Sequence, residues 1–139
     1  MTDARRIADG NAALIRRMMP EFDSNPVGAA SKWMTPDFTA VMNGGAPMNL
    51  DAYREMVESV STAFSDIRHE IHDLVAEADK VALNMTLHLK HIGEYEGVAA
   101  TGRTIRIAEM AVFHMRGGKI ASERVVVDFA SLMQQLTAP

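Results

Sequence analysis

The stretch KVALNMTLHLKHIGEYEGVAATGRTIRIAEMAVFHMRGGKI, residues 80–120, decides the fold. Val81, Leu83, Met85, Leu87 and Leu89 occupy every second position, and a strand turns successive side chains to opposite faces. A strand from Lys80 to Ile92 therefore has one apolar face, with His91 closing the same row and His88 on the other side. From Thr104 to Arg116 the alternation resumes through Ile105, Ile107, Ala111, Phe113 and Met115. Glu109 interrupts that second row, and a carboxylate among apolar neighbours is costly unless it is paired, protonated or solvated. The polar insert between the two strands reads as the rim of a pocket, where Gly93, Gly97 and Gly102 let the chain turn.

Downstream, Gly117 and Gly118 suit a tight hairpin leading into a strand from Lys119 to Asp128. In that strand Glu123, Val125, Val127 and Phe129 share one face, and Arg124, Val126 and Asp128 the other. Both faces contain apolar residues, so pattern leaves the direction of Asp128 open, and a bulge would change every parity after it. Upstream, Ile67 to Glu77 makes a fourth long strand, and ASLMQQL near the end of the chain reads as a short helix.

The first half is helical in pattern. Thr2 or Asp3 can cap a helix with Ile7, Ala8, Leu14, Ile15, Met18 and Met19 on one stripe, ended by Pro20. PVGAASKWM forms a second helix that stops before Pro36, and DFTAVMN suits a short strand. Asn49 can cap a third helix carrying Leu50, Tyr53, Met56, Val57, Val60 and Phe64. Helices followed by an antiparallel meander give an α+β fold, with the helices covering one face of a strongly curved sheet and one domain spanning 1–139.

Composition narrows the chemistry. Fourteen Lys and Arg against eighteen Asp and Glu leave a net charge of −4 without a basic block, so no nucleic-acid partner is expected. With no cysteine, thiolate nucleophiles and cysteine-bound zinc are excluded, and nothing points to an oxidising compartment. No apolar run has bilayer length, so a cytoplasmic protein without a membrane partner is expected. The pairs His69/His72 and His88/His91 have metal-ligand residues, but i, i+3 on a strand splits each pair across the sheet, so no metal site is expected.

Three motifs carry a family likeness: His-x-Gly-Glu-x-x-Gly-x-x-x-Thr-Gly-Arg at His91–Arg103, the GGKI turn, and Asp-x-x-x-Leu-x-Gln-Gln-Leu from Asp128. With them the chain resembles the SnoaL-like polyketide cyclases, or ester cyclases, of the nuclear-transport-factor-two-like superfamily. The likeness covers residues 72–136 well and MTPDFTAVMNGGAPMNLDAYREMV more loosely. It implies a cone-shaped α+β barrel around a deep apolar pocket, commonly in a homodimer, closing a polyketide ring by intramolecular aldol condensation without metal or organic cofactor. It also implies an acid/base role for Asp128 and an active-site position for His91. Arg124 stands where family members often have Trp, a departure that bears on substrate and reaction.

An aldol closure removes a proton beside a carbonyl and later protonates an alkoxide, which one carboxyl group of raised pKa can do in turn. Asp128 is the expected acid/base group, against the alternative that it merely caps the last helix. His91 is the expected hydrogen-bond donor to a developing enolate, against a strand-end histidine bonded to a loop. Arg124 is expected to bind a substrate carboxylate or ester or to form a structural ion pair, and Glu109 to be a buried partner of Arg124 or Arg106. Glu109 and Tyr53 are expected in the substrate pocket with the apolar Met85 and Phe113 from the two strand rows. Competing functions on the same scaffold are double-bond isomerisation of the ketosteroid type, epoxide opening, or non-catalytic binding of a hydrophobic small molecule.

Overall fold

The computed structural model describes residues 2–139. Among them the chain forms α1 (Asp3–Ser24), α2 (Pro26–Trp33), β1 (Met34–Met42), β2 (Met48–Asn49), α3 (Leu50–Ala63), β3 (Phe64–Ala76), β4 (Lys80–His91), β5 (Thr104–Arg116), β6 (Lys119–Val127) and α4 (Phe129–Thr137). The strands lie in the order β2-β1-β6-β5-β4-β3 in one sheet that does not close on itself. β3 to β6 form the expected antiparallel meander, whereas β1 joins β6 in parallel, so the sheet is mixed. Four helices on such a sheet make the expected α+β cone.

Local chemistry sets the helix ends. Thr2, Asn25, Asn49 and Asp128 each accept a hydrogen bond from a backbone N–H in the first turn of the helix that follows, satisfying a donor that has no partner within the helix. Pro20 does not end α1; it sits inside the helix on an exposed face, and the helix runs four residues further to Ser24. That extra turn brings Asp23 to the sheet. At the other end Ile7 is 52% exposed and does not join the buried stripe of Ala8, Asn11, Ile15, Met18 and Met19. β1 begins two residues before Pro36, and its register with β6 shifts between Met34 and Thr39, where proline cannot donate to the ladder.

The alternating rows of β4 and β5 are buried as the pattern requires, with Val81, Leu83, Met85, Leu87, Leu89 and His91 facing inward beside Ile105, Ile107, Glu109, Ala111, Phe113 and Met115. In β6 a bulge intervenes. His114 pairs with Ser122 but Met115 with Ile120, leaving Ala121 as an extra residue. Inward parity therefore switches from Ile120 to Glu123, Val125 and Val127, and Arg124, Val126 and Asp128 turn outward.

The rim insert is held by two devices. Gly93 packs so close to the α3–β3 junction that a Cβ there would stand 2.6 Å from the Thr62 carbonyl oxygen. Arg103 donates to the carbonyls of Gln135 and Ala138 at 2.6 Å each, tying the rim to α4, whose Leu132 faces the core. Arg103→Ala removes two charge-assisted hydrogen bonds. It is expected to cost roughly 1.5–3 kcal/mol and to speed amide exchange in α4 more than in β4, as hydrogen-exchange mass spectrometry would report.

Candidate active site

Two apolar lobes meet between the helices and the inner face of the sheet. The outer, about 100 Å³, opens beside Met56, Val60, Phe64, Tyr95 and Phe129; the inner, about 40 Å³, reaches Met85 and Phe113. Phe22, Tyr53, His69, Glu109 and Glu123 line both. A cluster of titratable groups thus stands where the two lobes join.

His69, on β3, is its hub. Its Nδ1 lies 2.5 Å from Asp23 Oδ1, and its backbone N–H donates to Asp23 Oδ2 at 2.9 Å, so one carboxylate from the end of α1 grips both ring and main chain. On the other side Nε2 is 2.8 Å from Glu109 Oε2. That contact is close enough for an ion pair but is not aligned as a hydrogen bond, and Glu109 Oε2 has no aligned partner. Burial alone would pull the imidazole pKa down; the hydrogen bond to Asp23, the close contact with Glu109 and the charges of both outweigh it and raise His69 to about 10. His69 is therefore an imidazolium between two carboxylates at neutral pH.

Glu123 differs in kind. Burial, then the negative charge of Glu109, push its carboxyl up to about 8 against the opposing pull of His69 and Tyr53. Its side-chain partner is the Tyr53 hydroxyl at 3.5 Å. Burial, then the charges of Glu123 and Glu109, hold that phenol well above its usual range, so both groups carry protons at pH 7. A carboxyl group paired with a charged imidazole and a neutral carboxylic acid thus share an apolar cavity, a setting suited to acid/base chemistry.

The expected site residues divide into two sets. Glu109, Tyr53, Met85 and Phe113 are brought together around the two lobes. Asp128 is exposed, lies outside both lobes, and accepts the Ser131 N–H at 3.0 Å as the cap of α4. His91 is fully buried behind Phe64, ring centroids 5.4 Å apart, and its Nδ1 accepts the Thr101 N–H at 3.1 Å. Arg124 is exposed on the outer face, where sheet parity keeps it from pairing with the inward Glu109. The two histidine pairs split as strand geometry requires: His72 bonds Thr86 and His88 bonds Glu70, while His69 and His91 face inward.

Sequence reasoning passed over Asp23, His69 and Glu123. For Glu123 a signal was present, because it shares parity with Val125, Val127 and Phe129 as Glu109 does with its own apolar row.

The two raised values set a pH dependence of stability. Relative to ordinary carboxyl and imidazole values of 4.5 and 6.5, the stabilising contribution of protonated Glu123 is fully present below 4.5 and is lost as pH rises through about 8; that of His69 is fully present below 6.5 and is lost through about 10. In both windows the folded state binds more protons than the unfolded state. Stability is expected to fall with rising pH most steeply between about 6.5 and 8, where both contribute. Chemical denaturation at a series of pH values checks this, and a flat or rising profile there would contradict the assigned charges.

Comparison with known proteins places the chain and its fold. The family model for SnoaL-like polyketide cyclases matches residues 13–136. The chain is 26% identical over 133 residues to aklanonic acid methyl ester cyclase AcmA of Streptomyces galilaeus, covering 91% of this chain and 90% of that one. Its fold is similar to those of AclR from Streptomyces galilaeus, at 23% identity and a TM-score of 0.85 over 93% of this chain and 96% of that one. A SnoaL-like protein of Jannaschia sp. CCS1 is similar at 17% identity and a TM-score of 0.87, over 100% and 99% of the two chains. Across nearly its whole length, the chain belongs to the SnoaL-like polyketide cyclase family.

Proposed function

We propose that the protein is a cofactor-independent cyclase that closes a ring in a hydrophobic carbonyl compound by intramolecular aldol condensation, with buried carboxyl groups moving the protons. The observation that carries this reading is the Asp23, His69, Glu109, Glu123 and Tyr53 cluster at the junction of two apolar lobes. Glu109 takes a proton from carbon beside a carbonyl, and the enolate carbon bonds to a second carbonyl carbon in the same molecule. Glu123 gives its proton to the alkoxide so formed, and return of a proton from Glu109 to Glu123 resets the site. Asp23 and His69 hold Glu109 in place. Folding the substrate against the apolar walls supplies the orientation on which such closures depend.

The family likeness favours Asp128 as the acid/base group instead, whereas its exposure and its bond to Ser131 support a capping role. Double-bond isomerisation of the ketosteroid type is the second reading, because Glu109 and Tyr53 both line the cavity as that chemistry needs. Aklanonic acid methyl ester, the compound in the relative's name, is the first substrate to assay. A ring-closed isomer of unchanged mass, formed above the buffer rate, is expected. If that ester and a panel of smaller diketo esters bind without turnover, a binding protein is the better description.

A homodimer fits the outer face of the sheet, where Val75, Met110 and Val126 are 66%, 58% and 61% exposed and form an apolar patch with Val112. Sedimentation equilibrium tests it, and a monomer at micromolar concentration would remove the proposal.

A further inference from the structure

We infer that Tyr53 and Glu123 form a two-donor site for a single enolic or phenolic oxygen, so that the cavity binds small planar phenols as mimics of an enolised substrate. The inference deepens the acid/base reading and rests on it for its catalytic meaning.

The contact between the two groups is long. The Tyr53 hydroxyl and Glu123 Oε2 are 3.5 Å apart, and among the described residues each is the other's only side-chain hydrogen-bond partner. O–H···O bonds are normally about 2.5–3.0 Å long, so this contact is weak. Yet Tyr53 is 4% exposed and Glu123 7%, and buried hydroxyl and carboxyl groups are rarely left so poorly bonded without a reason. The spacing lets both groups reach one shared oxygen: an oxygen about 2.7 Å from each donor would receive two good hydrogen bonds.

Both groups are set in packed surroundings. Phe38 stands edge-on to the Tyr53 ring at 5.1 Å, and Phe22 lies 6.3 Å from it on another side. Glu123 is held on β6 opposite Phe113 of β5.

The occupant's chemistry follows from its neighbours. Both donors are neutral and protonated, so they favour an oxygen that gains negative charge without presenting a full buried counter-charge beforehand. Among the described residues no Lys or Arg lines either lobe, and the cationic ring of His69 is already engaged by Asp23 and Glu109. A free carboxylate would meet Glu109 without a cation to receive it. An oxygen on a flat, conjugated, otherwise apolar carbon frame meets hydrogen bonds and hydrophobic walls together. When Glu109 removes the proton beside a carbonyl, electron density moves onto the carbonyl oxygen. Tyr53 and Glu123 would hold that oxygen until the new carbon–carbon bond returns it to a carbonyl, which frees the Glu123 proton for the alkoxide.

The test uses the full chain and a series of ring-substituted phenols, with toluene as the control lacking a hydroxyl, read by NMR chemical-shift titration. Phenol binding is expected to tighten as substituents lower the phenol pKa. Tyr53→Phe and Glu123→Leu should each weaken phenols about tenfold while changing toluene less than twofold. Glu123→Gln, which retains a donor, should lose less than Glu123→Leu and guards against a packing artefact. Equal losses for phenols and toluene, or unchanged phenol binding in Tyr53→Phe, would overturn the site. Because binding is measured without turnover, phenols can bind as described even if the cyclase reading fails, and the cyclase reading can stand even if they do not.

Discussion

Glu109→Gln is expected to lower kcat about 10²- to 10⁴-fold on any substrate that the wild-type protein cyclises, with little change in substrate binding. Glutamine keeps the size of the side chain but cannot accept the proton that starts the reaction. Asp128→Asn is the paired comparison. Asparagine caps a helix about as well as aspartate, so the bond to Ser131 survives while the acid/base function of that carboxyl is lost. Asp128→Asn is expected to keep activity within about threefold of wild type, a change small beside the factor assigned to a positioned acid or base. The reverse pattern, with Asp128→Asn inactive and Glu109→Gln active, would return the chemistry to the residue that the family likeness favours. A chromatographic assay of substrate loss and isomer gain reads both variants.

His69→Leu is the second large effect, and it falls on stability. The imidazolium separates the carboxylates of Asp23 and Glu109, both nearly buried. Removing it leaves two like charges in an apolar site without a counter-ion, a loss of about 3–5 kcal/mol when a buried ion pair is broken. That is a large share of a marginal folding free energy. The deficit should shrink as pH falls and the orphaned carboxylates are protonated, so urea midpoints of wild type and variant should converge toward acid. A constant difference at every pH would mean that lost packing, not charge, accounts for the change.

The sheet was legible because its evidence is local. Val81 to Leu89 and Ile105 to Met115 alternate so regularly that burial could be assigned position by position, and Glu109 stood out as the one carboxylate in an apolar row. The parallel pairing of β1 with β6 joins segments far apart in sequence, and no local pattern announces such a partner. The site was half legible for the same reason. Asp23 and His69 are 46 residues apart, and Asp23 reaches the ring because α1 continues past Pro20. An exposed proline whose preceding turn tolerates the missing hydrogen bond looks the same in sequence as one that ends a helix.

The bulge at Ala121 decided which carboxyl of β6 enters the cavity. Counted straight from Ile120, inward parity would have turned Arg124 and Asp128 toward the helices; one extra residue turns Glu123 inward instead. Bulges have weak sequence signals, so the strand's two mixed faces could not be told apart beforehand. His69 was weighed only as one half of a metal pair with His72, which concealed its partnership with carboxylates on α1 and β5.

The division of protonation between a charged His69 and a neutral Glu123 underlies the mechanism, the pH dependence of stability and the oxygen site alike. Its most direct test is a site-resolved NMR titration that follows the Glu123 side-chain carboxyl carbon and the His69 ring nitrogens in the unliganded protein. The account predicts a Glu123 midpoint near 8 and a His69 ring doubly protonated well above neutrality, with a midpoint near 10. Midpoints near the ordinary 4.5 and 6.5 would contradict it, leaving an ionised Glu123 unable to donate and a neutral His69 unable to hold two carboxylates.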